Sequence, residues 1–214
     1  MVNFLLLLEN IVHYSKKDID KGNTPLIVYK ICSSLKEAFC LSYAIRKENN
    51  FYLYFQKEHL IIKFEGETLR YLGPDERSQA LLLEKALSKL YEKKGLQDNW
   101  TKSTPGIYGK KFSSNNEFIN FFKSISNGKN NLLLDDWQNI ENDNDLIYVD
   151  KLTCPIDESD FYIIPLCNVH NGIKNIIKLF KGLEQISIIQ LSIVKTIEDK
   201  ILYINFRKDL QGTL

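Results

Sequence analysis

The stretch FYIIPLCNVHNGIKNIIKLFKGLEQISIIQL, residues 161–191, decides how the rest of the chain reads. Its two ends, FYIIPL (161–166) and QISIIQL (185–191), are short apolar runs suited to strands buried on both faces. Between them GIKNIIKLFKG (172–182) reads as a helix. A strand, a helix and a strand in succession make a crossover unit, and such units build parallel sheets covered on both faces.

The same alternation extends upstream. NLLLD (131–135) and LIYV (146–149) are two more strand candidates, and the Asn- and Asp-rich residues 139–145 form a surface loop. Asn116 to Ser126 reads as a helix carrying Phe118, Ile119, Phe121 and Phe122, and DNWTKSTPGIYGKKFS (98–113) as a polar loop punctuated by Gly and Pro. Pro74 to Ser78 opens a long helix, with Asp75 or Ser78 as cap, Leu82, Leu83, Ala86, Leu87 and Leu90 as apolar face, and Gly95 as stop. FYLYF (51–55) and HLIIKFEG (59–66) make a hairpin. Ile31, Leu35, Ala38, Phe39 and Ser42 share one stripe of a helix running to about Lys47. His13 to Pro25 is a loop, and Phe4 to Leu8 a buried strand. Downstream, Thr196 to Leu210 is a last helix, with Ile197, Ile201, Ile204 and Leu202 turned inward. There is no internal repeat and no low-complexity linker, so residues 1–214 read as a single α/β domain.

Composition narrows the function classes. With 44% hydrophobic and 26% charged residues the chain can bury a core. Its net charge of +1 argues against an electrostatic nucleic-acid binder, though not against a local basic patch. Cys32, Cys40, Cys154 and Cys167 form no CxxC pair, and His13, His59 and His170 are far apart, so no metal site is expected. The apolar run in MVNFLLLLEN is too short for a signal peptide, and no segment approaches the ~20 apolar residues of a membrane span, so a cytoplasmic protein is expected. The chain contains neither G-x-G-x-x-G nor GxxxxGK[ST].

Three stretches carry more: AFCLSYAIRK (38–47), LRYLGPDERS (69–78) and NWTKSTPGIY (99–108). In order and spacing they resemble the archaeal tRNA pseudouridine N1-methyltransferases, trefoil-knotted enzymes of the SPOUT class. The resemblance implies an α/β fold with a C-terminal trefoil knot, here about residues 130–214, and a homodimer that holds S-adenosylmethionine in the knot loops. It implies methyl transfer to N1 of the pseudouridine at position 54 in the tRNA T-loop. By the same resemblance the cofactor is lined by Leu134, Ile164, Pro165, Leu166, Asn168, Gly172, Ile188 and Leu191, at the ends of three strand candidates. Arg46, Arg77, Lys102, Lys110 and Lys111 are the candidate RNA contacts, with Trp100 and Tyr108 beside the last three.

The sequence departs from the family at chemically informative places. The family carries a Gly-Arg-hydrophobic-Asp motif before its first helix, where PLIVY (25–29) stands here without a carboxylate. Proton removal from N1 then falls to Glu37, Asp75 or water, and Asp75 and Arg77 are carried as catalytic candidates. Pro165 and Leu166 replace a Gly-Asp pair in the cofactor loop; a Pro lacks an N–H and fixes φ. The last knot loop keeps Ser187 and Leu191 and loses a Pro, and 143–160 reads as an insertion. Three readings stay open: an active S-adenosylmethionine-dependent tRNA methyltransferase, a catalytically inactive relative serving as an RNA-binding or dimerisation partner, and a knotted small-ligand module.

Overall fold

The structure, a computed structural model, describes residues 2–92, 99–128, 130–134, 146–149, 160–166, 180, 183, 186–191 and 194–211. Its frame is one nine-stranded sheet, in the order β4-β5-β3-β2-β1-β8-β6-β9-β7. The strands are β1 (Asn3–Leu8), β2 (Asn50–Phe55), β3 (Leu60–Glu65), β4 (Thr101–Thr104), β5 (Ile107–Lys111), β6 (Asn131–Leu134), β7 (Leu146–Val149), β8 (Phe161–Leu166) and β9 (Ile186–Leu191). The six strands from β2 to β7 along that order are mutually parallel, and β3, β5 and β4 continue the sheet antiparallel. The α/β class with a mostly parallel sheet is therefore as the sequence reads.

Strand β1 is the seam. It pairs in register with β2 on one side, Leu8 facing Phe55, and with β8 on the other, Leu8 facing Leu166. All six residues of NFLLLL are buried because helices cover both faces. Helices α1 (Lys16–Asp20), α2 (Leu26–Phe39), α3 (Glu76–Glu92) and α5 (Ile197–Gln211) lie on one face, where Leu6, Leu35, Leu83 and Ile201 share a core. Helix α4 (Asn115–Ser126) lies on the other, packing Phe118 and Phe122 on Leu5, Tyr54 and Phe161. Among the described residues no helix is long and apolar enough to cross a membrane.

Local chemistry explains where these elements differ from the sequence reading. Helix α2 stops at Phe39, well short of Lys47, and Ser42 is not on it. Cys40 takes an extended conformation and bridges Ile45, forming a small loop that Arg46 N closes by donating to Phe39 O at 2.7 Å. The loop expected at 13–25 contains α1, started by a capping box in which Ser15 and Asp18 each accept the other's main-chain N–H. The largest correction is at 98–113, where β4 and β5 form a hairpin rather than a loop. Its turn centres on Pro105-Gly106; Gly106 has φ +79, and a Cβ there would sit 2.2 Å from Leu69 Cα. In β5, Gly109 lets Leu90 of α3 press onto the strand, since a Cβ would lie 2.3 Å from Leu90 Cδ1. In α5, Ile201 and Ile204 are buried as expected, whereas Leu202 faces outward. Gly95, residues 139–145 and most of 172–182 lie outside the described residues; Phe180 and Leu183 are buried against the α4 side.

Candidate functional site

In a parallel sheet the carboxyl ends of neighbouring strands converge on one edge, where ligands bind. Here β8, β6 and β9 are immediate neighbours, with Leu133 facing both Ile163 and Ile188 and Leu134 facing Ile189. Leu134, Leu166 and Leu191, the last residues of those strands, therefore come together at the edge. Their side chains, with that of Ile164, are buried in the core on the α2–α5 face. Pro165 is half-buried on the opposite side and stands in register with Leu7 of β1. What this edge offers a ligand is the main-chain groups of three strand ends, above apolar side chains already packed into the core. Ile188 takes its place in β9, but its side chain, like Asn168 and Gly172 entirely, is outside the described residues.

The edge continues past β1. Glu9 pairs with Lys57 at 2.8 Å, and Glu58 accepts from Ile11 N at 3.2 Å, tying the chain after β1 to the turn after β2. The cavity beneath, walled by Leu8, Phe55, Ile31 and Leu83, has about 10 Å³, room for no more than a water. His59 sits in the β2–β3 turn at φ +49, and its Nδ1 lies 3.3 Å from Asn115 Oδ1, which also accepts from Tyr54 Oη at 2.6 Å.

Asp75 and Arg77 lie elsewhere. Helix α3 begins beside the end of α2, with Cys40 Sγ 3.9 Å from Gly73 O, on the side of the sheet where β1 and β2 start. Asp75 is the helix cap: its Oδ1 accepts from Ser78 N at 2.8 Å, while Ser78 Oγ accepts from Gly73 N at 3.2 Å. The Ser78 amide, helped by its hydroxyl, holds the Asp75 carboxyl below the usual aspartate range. Arg77 donates to Asp20 of α1 from Nε and Nη2 at 3.1 and 2.7 Å. Neither residue is brought to the strand ends that gather Leu134, Leu166 and Leu191.

The candidate RNA contacts also separate. Arg46 is engaged by Asp209 of α5. Lys111 faces α3, its Nζ 5.5 Å from the Tyr91 ring centre. Lys102 and Lys110 face the other way, onto the α4 side, and there the register adds residues the sequence reading passed over. Tyr52 faces Lys63, Lys63 faces Tyr108, and Tyr108 faces Lys102, one row across four strands. The signal was present in the alternation of IIKFE and IYGKK, but only the hairpin pairing of β4 and β5 turns it into a row. Among the described residues no cluster of His, Cys, Asp or Glu is arranged to hold a metal ion.

Comparison with known proteins points in one direction. Residues 25–145, more than half of the chain, match the family described as "Putative SAM-dependent RNA methyltransferase". A tRNA (pseudouridine(54)-N(1))-methyltransferase of Methanocaldococcus jannaschii is 34% identical over 127 residues, 56% of this chain and 60% of that protein. Proteins of the same name from Methanosarcina acetivorans and Methanococcus maripaludis are 40% identical over 81 residues and 33% identical over 129 residues. Those matches cover 36% and 56% of this chain, and 36% and 61% of the two relatives. The chain thus matches less than two thirds of each relative's length.

Proposed function

The chain belongs to the family of SAM-dependent RNA methyltransferases, and from that membership we propose that it methylates tRNA at N1 of pseudouridine 54, as its relatives' names state for them. The observation that carries the reading is the side-by-side carboxyl ends of β8, β6 and β9. An adenine needs an apolar slot with main-chain donors and acceptors; the reading is supported by three strand ends whose main-chain groups stand over the apolar side chains of Leu134, Leu166 and Leu191. S-adenosylmethionine would lie there, against Leu134, Ile164, Pro165, Leu166, Ile188 and Leu191, with Asn168 and Gly172 completing the loop between β8 and β9. When bound it supplies an already activated sulfonium methyl group. The work left to the protein is to orient the uracil ring, exclude water and accept the N1 proton.

The rest of the reading follows the family. The chain is one domain over residues 1–214, with a trefoil knot in about 130–214, acting in the cytoplasm as a homodimer. Leu202, Phe206 and Leu210, at spacing four on the outer side of α5, are each close to half exposed, and such a line suits a partner copy. Lys102 and Lys110 are proposed RNA contacts; Lys111, expected with them, faces α3 on the other side of the sheet, and Arg46 and Arg77 reach RNA only by leaving their carboxylate partners.

Two measurements test the reading. Titration calorimetry with S-adenosylmethionine is expected to give weak but measurable binding, Pro165 having removed one donor from the edge. Incubation with a T-arm RNA containing pseudouridine is expected to add one methyl group by mass spectrometry. Absence of heat at millimolar cofactor, with no mass gain, defeats the proposal.

A further inference from the structure

The sheet carries a strip that the cofactor edge does not use. On the α4 side the row Tyr52–Lys63–Tyr108–Lys102 alternates rings and cations, with Lys63 Nζ 6.0 Å from the Tyr52 ring centre. One row nearer the carboxyl edge, Tyr54, Ile61 and Lys110 line up, and Lys110 Nζ stands 5.4 Å over Phe112 and 5.6 Å over Phe121. Trp100, two residues before Lys102, leans edge-on against Phe121 at 5.8 Å.

Helix α4 runs over Tyr54 and Phe161 and leaves the antiparallel corner of this face less covered: Lys102 is exposed, and Lys63, Tyr108, Lys110 and Trp100 are half-buried. The acids in reach are largely spoken for. Glu65 is bound by Lys63 at 2.5 Å and by Thr68 Oγ1 at 2.7 Å, and its carboxyl stays below the usual range although partial burial opposes that. Glu117, near Lys110, accepts from the Ser113 amide and hydroxyl, each at 2.6 Å. Among the described residues neither Lys102 nor Lys110 is in an ion pair.

We propose that this strip seats an unpaired stretch of the RNA, with one base stacked on Tyr108 and the phosphate beside it on Lys102, while Lys63 stays with Glu65. Lys110 then leads the strand toward the carboxyl edge. Strands lie ~4.8 Å apart, so Lys102 on β4 stands one strand away from the Tyr108 ring on β5. Of the rings in the row Tyr52 is buried and Tyr108 is half-exposed, and an accessible ring on a sheet beside free cations binds single-stranded nucleic acid by stacking and charge neutralisation, whereas an acidic peptide has no use for the ring face. The proposal rests on the RNA methyltransferase reading and narrows it: Lys111, on the opposite face, is not in the path.

The test is fluorescence anisotropy with a labelled, unmodified T-arm stem-loop at several salt concentrations, with cofactor calorimetry in parallel. Lys102→Ala, at an exposed position that leaves folding intact, is expected to lower the slope of log affinity against log salt by about 1. Tyr108→Ala is expected to weaken binding about tenfold or more, with folding followed by urea unfolding. Lys111→Ala is expected to bind as the parent does, and all three to keep the parent's affinity for S-adenosylmethionine. Parental RNA binding by both Lys102→Ala and Tyr108→Ala, in a protein that methylates RNA, overturns the strip and leaves the enzymatic reading standing. If the parent binds neither RNA nor cofactor, the enzymatic reading fails and takes the strip with it.

Discussion

Arg46 and Asp209 meet in a two-pronged ion pair, Nη1 to Oδ1 at 2.7 Å and Nη2 to Oδ2 at 2.6 Å, across 163 positions of sequence. The fork fastens the last turn of α5 to the loop that follows α2. Just inside it, Asn205 donates to Glu37 O at 2.8 Å and accepts from Asn49 Nδ2 at 3.0 Å, so the join is a small polar seam over apolar packing. The Arg46 side chain is 12% exposed and that of Asp209 51%, which leaves half of the pair in water.

This seam has a pH signature. The hydrogen bonds from Arg46 hold the Asp209 carboxyl below its ordinary value, so it is more acidic folded than unfolded. The pair's contribution is then complete above the unfolded aspartate pKa of about 3.9 and is lost as pH falls through the lower folded value. Discounted for exposure, Asp209→Asn is expected to destabilise by about 0.5–1 kcal/mol at pH 7. In urea titrations the gap from the parent should shrink steadily below pH 4. A gap that does not change with pH means the ion pair is not its source.

The β4–β5 turn makes a second prediction. Gly106 and Gly22 have almost the same backbone, φ +79 and +73, but Gly22 has open space where a Cβ would go and Gly106 has Leu69 Cα at 2.2 Å. Gly22→Ala meets only the left-handed backbone cost of about 1–2 kcal/mol. Gly106→Ala must also push main chain away from main chain, and should lose more than that, with the hairpin edge opening. Equal urea midpoints for the two variants would refute the close approach.

Asp75 separates capping from catalysis. Asn caps a helix about as well as Asp, so Asp75→Asn is expected to hold its stability within a few tenths of a kcal/mol, while Asp75→Ala loses about 1 kcal/mol. Because Asp75 lies away from the strand carboxyl ends, methyl transfer by Asp75→Asn is expected within about twofold of the parent. A stable Asp75→Asn protein with transfer abolished would give the carboxylate the proton-accepting role and contradict the geometry.

What could be read in advance follows the range of the interactions. The buried strands and the cap at Asp75 are local patterns, and among the described residues both appear as read. The β4–β5 hairpin hid because TKST and IYGKK are polar and carry a glycine, features of a loop in isolation. Gly109 is in the strand to admit Leu90, a tertiary demand with no local trace. The end of α2 was overrun because the apolar stripe continues to Ser42, while the turn at Cys40 is fixed by contacts with Ile45 and Gly73. Arg46 and Arg77 read as candidate RNA contacts; their carboxylate partners come from α5 and α1, which single-sequence spacing does not connect.

The seam position of β1 also bears on how the protein emerges from the ribosome. Its partner β2 is complete by Phe55, but the strand for its other edge, β8, begins only at Phe161. From the end of β2 to the start of β8, ~105 residues of synthesis or about 5–20 s at 5–20 residues per second, the nascent sheet ends in NFLLLL with one row of main-chain groups unpaired. That open apolar edge is a template for pairing with any neighbouring nascent chain. Slow translation between α4 and β8 should therefore lower soluble yield more than an equal delay after β8 has docked.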